Sequence, residues 1–435
     1  MNKKKMTFVR GLTIFVLTAI FCLGMAAPAL ASEGPISPGT EETNADTAIT
    51  KMLVIAEGTE IPDSTFEFTF TPNEKAGETA PAKEAPPIGP VLISMSESDR
   101  SKANDPENGI VSVPKESAGS IFSDVKWPHA GVYLYTVKET KGNDEQINYS
   151  KGAYDIYVYV ANKEDGSGLY IAGIGAKIAV NDDSNGNTSI ETKVDPTPGG
   201  GGDEYSHSQI IFTNTYVKDI DETDPTVESN QKFYVGKTVT GDYGDHSKYF
   251  TFFLTIERPA TLAAETTYKA YVVETINGKP EVVTSEKNHA EIEPSEGRGD
   301  YINVTTGSPI VINLTHGQKL VFTGIHDGAS YFVEEAAAKD YTAKVEIVEN
   351  GEDSITLSNS TPNTKRSTVP DGEANFMRII NSNDNFASFF NNYKDTAPMG
   401  ISVDNLPYIT LITLLIIAGA VYVAVKYRRR AQNEK

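Results

Sequence analysis

A lysine, a glutamate and an asparagine recur in the same order in the two halves of this chain. Lys51 lies in Ile49-Thr50-Lys51-Met52-Leu53, Glu139 closes Tyr135-Thr136-Val137-Lys138-Glu139, and Asn214 ends Phe212-Thr213-Asn214. Lys237, Glu335 and Asn392 repeat the series, the last in Phe390-Asn391-Asn392. An amine becomes a nucleophile when it is free of its proton, and a carboxyl relays protons when its pKa is displaced from the ordinary range. Both displacements follow from burial, which disfavours the charged form. Here the two charged types stand among apolar residues, where an unpaired charge is costly. Taken singly, each of the three reads first as a surface lysine, a strand-end glutamate or a turn asparagine, because charged residues are mostly exposed. Their ordered recurrence within matched segments selects the chemical reading.

The segments that carry them are strands. Phe66-Glu67-Phe68-Thr69-Phe70 alternates aromatic with polar residues, and Val132 to Val137 and Tyr154 to Val160 keep the same period of two. In the second half, Phe233 to Val239, Tyr249 to Thr255, Leu320 to Gly324, Ser330 to Glu335 and Ser388 to Tyr393 repeat the plan. No amphipathic helix of three turns is visible, and the Ala-bearing run Glu334–Lys339 is too short to nucleate alone. The expected fold class is all-β: two tandem Ig-like β-sandwich modules over residues 47–216 and 231–395, joined by an acidic linker at 217–230. Residues 32–46, polar and acidic, read as a disordered leader. Lysine and asparagine come from the first and last strands of each module, which in a sandwich can be neighbours.

The ends imply export and retention. Lys3, Lys4, Lys5 and Arg10 precede an apolar stretch and Ala29-Leu30-Ala31, the pattern of a signal peptide cleaved after Ala31. Residues 406–425 are apolar and uncharged, long enough for a transmembrane helix, and a basic cytoplasmic tail follows from Lys426. The single cysteine, Cys22, belongs to the signal segment, so the mature chain has no disulfide. The net charge of −21 would repel nucleic acid and anionic membrane surfaces.

Phe122 to Lys126, Trp127-Pro128-His129-Ala130, Gly131-Val132-Tyr133-Leu134-Tyr135 and the strand ending at Glu139 together resemble the streptococcal major pilin family with its isopeptide-linkage domains. The resemblance covers both modules and the anchor, and its motifs are more specific in the first. It implies a spontaneous amide bond from Lys51 to Asn214 and from Lys237 to Asn392, with Glu139 and Glu335 as the promoting acids. Burial among Phe66, Phe68 and Tyr135 would supply the neutral amine and the protonated carboxyl that such a reaction needs. Ammonia leaves once per bond, so this is maturation of a structural protein and not enzymatic turnover, and no cofactor is called for. Each bond would tie first strand to last, as a disulfide might.

The family also implies a sortase signal before the membrane segment. Pro398-Met399-Gly400 stands in that place, with methionine where the family has threonine. The acceptor lysine expected shortly before the closing strand of the first module is missing, and Lys193 is the nearest candidate. The expected partners are therefore a sortase, other pilin subunits or peptidoglycan, a host surface ligand, and the membrane through the C-terminal helix. The alternative is a membrane-anchored surface adhesin that no sortase processes; an extracellular enzyme is a third reading with no catalytic constellation behind it. Asn181 to Gly186 begins like a calcium loop, but Thr192 stands where the bidentate glutamate belongs, and the six histidines form no zinc pattern, so no metal is expected.

Overall fold

The computed structural model describes residues 35–182, 192–200, 206–218, 223–295, 297–373, 376–393 and Leu414. The signal-cleavage residues Ala29 and Ala31, the sorting-signal residues 398–400 and the membrane segment, apart from Leu414, lie outside them. Among the described residues no helix is long and apolar enough to cross a membrane.

Alternation of aromatic and polar residues builds two pairs of sheets. In the first half, a seven-stranded sheet runs in the order Ser37–Pro38, Leu169–Val180, Ala153–Asn162, Gly131–Thr140, Ser64–Asn73, Val91–Met95, with Lys193–Val194 added against Leu169–Val180. A four-stranded sheet, Ile110–Glu116, Thr50–Ala56, Ile211–Tyr216, Ile147–Asn148, packs on it. Leu53 and Ile55 from the small sheet meet Phe66, Phe68 and Tyr135 from the large one in a single buried cluster. The second half pairs an eight-stranded with a five-stranded sheet over its own core, which includes Phe233, Phe252, Phe322 and Phe389.

Two strand pairings position the chemistry. Thr50–Ala56, the first lysine strand, lies parallel to Ile211–Tyr216, the first asparagine strand. Phe233–Thr240, the second lysine strand, lies parallel to Asn385–Tyr393. A chain that begins and ends with adjacent parallel strands must close a very long loop, which is entropically costly unless something holds the ends.

The leader departs from expectation. Ser37 and Pro38 pair with Ile174 and Gly173 at the edge of the large sheet. The Ala45 N–H donates to the Ile171 carbonyl over 2.9 Å, and Ala45 is buried in the core. The physical reason is the open edge of Leu169–Val180, whose backbone groups recruit residues that composition marks as disordered.

Candidate functional site: two buried lysine–glutamate–asparagine clusters

In the first half Lys51 faces Phe212 across the parallel pair, and Asn214 lies two residues further along, so lysine and asparagine share the inward face. Glu139 comes from the opposite sheet, on Gly131–Thr140, where it is registered against Phe68. The second half reproduces both relations. Lys237 faces Phe389 and Val239 faces Asn391, while Glu335 on Ser330–Glu335 is registered against Phe252 in the other sheet. In each half, then, a carboxyl from one sheet is lowered onto an amine and a carboxamide of the other.

The first cluster is fully enclosed. Lys51 and Asn214 have no solvent exposure, and the Glu139 side chain has none either, although its backbone lies near the strand end and is half-buried. Lys51 Nζ donates to Glu139 Oε2 at 3.1 Å and to the Phe212 carbonyl at 2.9 Å. Asn214 Nδ2 donates to Glu139 Oε1 at 2.7 Å, so each carboxylate oxygen serves one partner. Asn214 Oδ1 accepts from the Ser150 N–H at 2.7 Å. The ring of Phe66 lies 4.8 Å from Lys51 Nζ.

The second cluster is buried as deeply, with different wiring. Lys237 Nζ and Asn391 Nδ2 both donate to Glu335 Oε1, each at 2.7 Å. Glu335 Oε2 and Asn391 Oδ1 are buried with no hydrogen-bond partner among the described residues. Phe250 lies closer to the amine here, 4.1 Å from Lys237 Nζ.

Burial shifts both reactive groups toward their neutral forms. Desolvation brings the Lys51 and Lys237 amines down to about 8, against a smaller upward pull from Glu139 and Glu335. The same desolvation raises the Glu139 and Glu335 carboxyls, and the neighbouring lysine only partly opposes it. Each downward shift enlarges the fraction of amine that is free of its proton near neutral pH.

One expected residue is displaced by a single position. Asn392 points outward, is exposed, and accepts from Thr240 Oγ1 at 3.1 Å; the asparagine on Glu335 is Asn391. Alternation puts Phe389 and Asn391 on the inner face, and Phe390 and Asn392 on the outer one. Sequence pattern alone does not separate the two, because either parity reads Phe-x-Asn. Ser150, Asp182 and the Phe212 carbonyl escaped the sequence reading as well: two of these contacts are made by backbone groups, which leave no residue-type signature. Lys193 pairs with Lys177 in the large sheet. Asn181 and Asp182 are described, whereas residues 183–186 are not, and among the described residues no three histidine, cysteine or acidic side chains gather as a metal site.

Residues 47–217 match the family of Spy0128-like isopeptide containing domains. This match places the first module, residues 47–217, in that isopeptide-domain family. Residues 231–383 match a domain family of unknown function, DUF7601. Among solved structures, the chain is similar to the major pilin from Streptococcus pyogenes, at 18% identity over 80% of this chain and 99% of that one, with a TM-score of 0.32. It is also similar to the T3.2 major pilin of the same organism (18% identity, 83% and 99% covered, TM-score 0.29) and to a pilus-presented adhesin (18%, 59% and 38%, TM-score 0.21). These superpositions are too loose to transfer residue roles. No curated protein matches the chain.

Proposed function

We propose that this pilus-type surface structural protein matures by forming two intramolecular amide bonds, Lys51 to Asn214 and Lys237 to Asn391. The observation that carries the reading is the doubled geometry: an enclosed amine and carboxamide on adjacent parallel terminal strands, bridged by a carboxyl from the facing sheet. The neutral amine of Lys51 adds through Nζ to Asn214 Cγ, forming the new C–N bond. Glu139 takes a proton from that nitrogen and gives one to the carboxamide nitrogen, whose C–N bond then breaks, and ammonia leaves. Lys237, Glu335 and Asn391 follow the same course. The carboxyl ends as it began, but lysine and asparagine are consumed, so the reaction runs once and the protein is not an enzyme.

The two halves read as tandem Ig-like sandwiches, 47–216 and 231–395, each tied from first strand to last across the linker-bounded module. In the chain-entropy account a link closing a loop this long stabilises by about 5 kcal/mol, in a protein without disulfides. Such ties suit a stalk or pilus subunit that bears load outside the cell. Export by a signal peptide cleaved at Ala31, transfer by a sortase at Pro398-Met399-Gly400, and attachment to other pilin subunits or to peptidoglycan complete the proposal. Host surface ligands are the expected outer partners.

Met399 is the observation that favours a second reading. It lacks the hydroxyl and β-branch of threonine, and a chain that no sortase accepts stays in the membrane as an anchored adhesin. The C-terminal peptide of the native protein decides: an end at Met399, or a join through it to another amine, supports transfer, and an intact Lys435 supports the permanent helix. For the bonds, the intact mass of residues 32–395 should fall short of the sequence mass by one ammonia per link, with branched peptides joining each lysine to its asparagine. A well-folded protein of unmodified mass would sink the proposal.

A further inference from the structure

We infer that the backbone N–H of Ser150 is the oxyanion donor of the first cluster and that Asp182 is the residue that positions it. This rests on the amide-forming reading above. When the amine adds to Asn214 Cγ, the carbonyl π electrons move onto Oδ1; they return to carbon as the bond to the departing ammonia breaks. Negative charge therefore gathers on Oδ1, deep in a site with no solvent exposure. Donors fixed at about 2.7–3.1 Å from such an oxygen are the usual means of stabilising it. The Ser150 N–H stands 2.7 Å from Asn214 Oδ1.

The fold explains how it comes to be there. Ile147–Asn148 forms the edge of the four-stranded sheet, paired antiparallel with the asparagine strand. The chain leaving that edge therefore turns past Asn214 at once. Asp182, just beyond the strand Leu169–Val180, holds this turn from the other side. Its Oδ1 accepts from Ser150 Oγ at 2.6 Å and from the Lys151 and Gly152 N–H groups at 3.2 and 3.3 Å. Its Oδ2 accepts from the Thr213 N–H at 2.6 Å, one residue before Asn214. A single carboxylate thus clamps the donor's turn to the strand that carries the acceptor. Gly152 leaves the room for it, since a Cβ at that position would stand 3.2 Å from both Asp182 Cβ and Ser150 Oγ. The second cluster makes the contrast: Asn391 Oδ1 has no donor among the described residues.

The test follows the linking rate in full-length chain made by cell-free translation, sampled over time and read by peptide mapping. The Lys237–Asn391 branched peptide serves as an internal control in every molecule. Ser150→Ala keeps the N–H and loses the hydroxyl; Ser150→Pro loses both. Ser150→Pro should form the Lys51–Asn214 link about 100-fold more slowly than Ser150→Ala, with the control link unchanged. Asp182→Asn should slow the first link on the order of ten-fold by loosening the donor. Ser150→Pro alters no charge near Lys51 or Glu139, so its pH limits should stay where they are in the parent while its maximum falls. Asp182→Asn, which removes a negative charge that raises both values, should also carry both limits downward. Equal rates in Ser150→Pro and Ser150→Ala overturn the donor assignment, and an unslowed Asp182→Asn overturns the clamp. Equal slowing of both links overturns the inference too, since it reports impaired folding. If protease digestion shows the first half of Ser150→Pro unfolded, Asp182→Asn decides alone. A parent chain with neither branched peptide is a different failure, that of the amide-forming reading itself.

Discussion

The two clusters hold the same three groups in the same register but reverse the sheets that supply them. In the first half lysine and asparagine sit on the four-stranded sheet and glutamate on the seven-stranded one; in the second they sit on the eight-stranded sheet and glutamate on the five-stranded one. What is kept is local: lysine opposite phenylalanine, asparagine two residues on, glutamate opposite a phenylalanine of its own sheet. Sheet size is therefore free to vary, and strand register is not, because a slip of one residue turns every side chain to the other face. The surroundings differ more. The first carboxamide oxygen has a donor and the first amine a second acceptor in the Phe212 carbonyl, whereas in the second cluster two buried oxygens have no partner among the described residues. Each such orphan costs on the order of 1–3 kcal/mol. On the proposed amide-forming reading, the first site already holds a donor on the oxygen that gathers charge, and the second carries the desolvation cost of two unpaired oxygens.

The largest effects should come from removing a reacting group, one cluster at a time. Glu139→Ala should abolish the Lys51–Asn214 link and spare the other; Glu335→Ala should do the reverse. Loss of either tie should lower the melting temperature of its own half on the order of 10–20 °C, from about 5 kcal/mol spread over a module of this size. Calorimetry with peptide mapping checks both, and a Glu→Ala chain that links at the parental rate would remove the carboxyl from the mechanism. Asn391→Ala should eliminate the second link entirely, while Asn392→Ala leaves it intact; the opposite result would mean that the strand register is wrong.

The next effect compares the two sites in unaltered protein. With a donor on one carboxamide oxygen and none on the other, the first link should form about 100-fold faster in newly made chain. Equal rates would show that a donor on the carboxamide oxygen is not what limits the reaction. Both links should share one pH response. Reaction needs a neutral amine and a protonated carboxyl, which together hold one proton. Below the raised carboxyl pKa the amine is held charged, and the rate should fall as pH drops. Above the amine value of about 8 the pair loses its last proton, and the rate should fall again. A rate that climbs and levels off on the alkaline side would show that no carboxyl proton is required.

Much of this was legible in the residues. Aromatic alternation located the strands, and Phe66, Phe68 and Phe70 are all buried as a period of two demands. Lysine and glutamate stood out because a charged type inside an apolar strand has few reasons to be there. Asn391 did not, because Asn385–Tyr393 carries aromatic residues on both faces: Phe386 stacks on Tyr234 outside at 5.0 Å, and Phe389 packs on Phe252 inside at 5.2 Å. Only the partner strand breaks that tie. Asp182 lay in a polar run that suggested at most a metal loop, and Ser150 acts through a group that every residue but proline possesses.

The smallest effect is expected from Lys248, and it bears on how the surroundings tune each pair. Asp182 adds a negative charge near the first cluster, raising both the Lys51 and the Glu139 values. Lys248, half-buried beside the rings of Phe250 and Tyr341, adds a positive charge near the second and lowers both the Lys237 and the Glu335 values. In each case this is the smallest of the influences on the lysine, and desolvation is the largest. Lys248→Gln should therefore leave the mid-range rate of the second link unchanged, because the pair holds one proton there regardless. It should carry both limbs of that link's pH profile upward, since a lost positive charge makes each proton harder to remove. The first link, in the same molecules, should keep its profile. A shift in both links would trace to a change in folding, and no shift in the second would mean that the sheet screens its amine from that side.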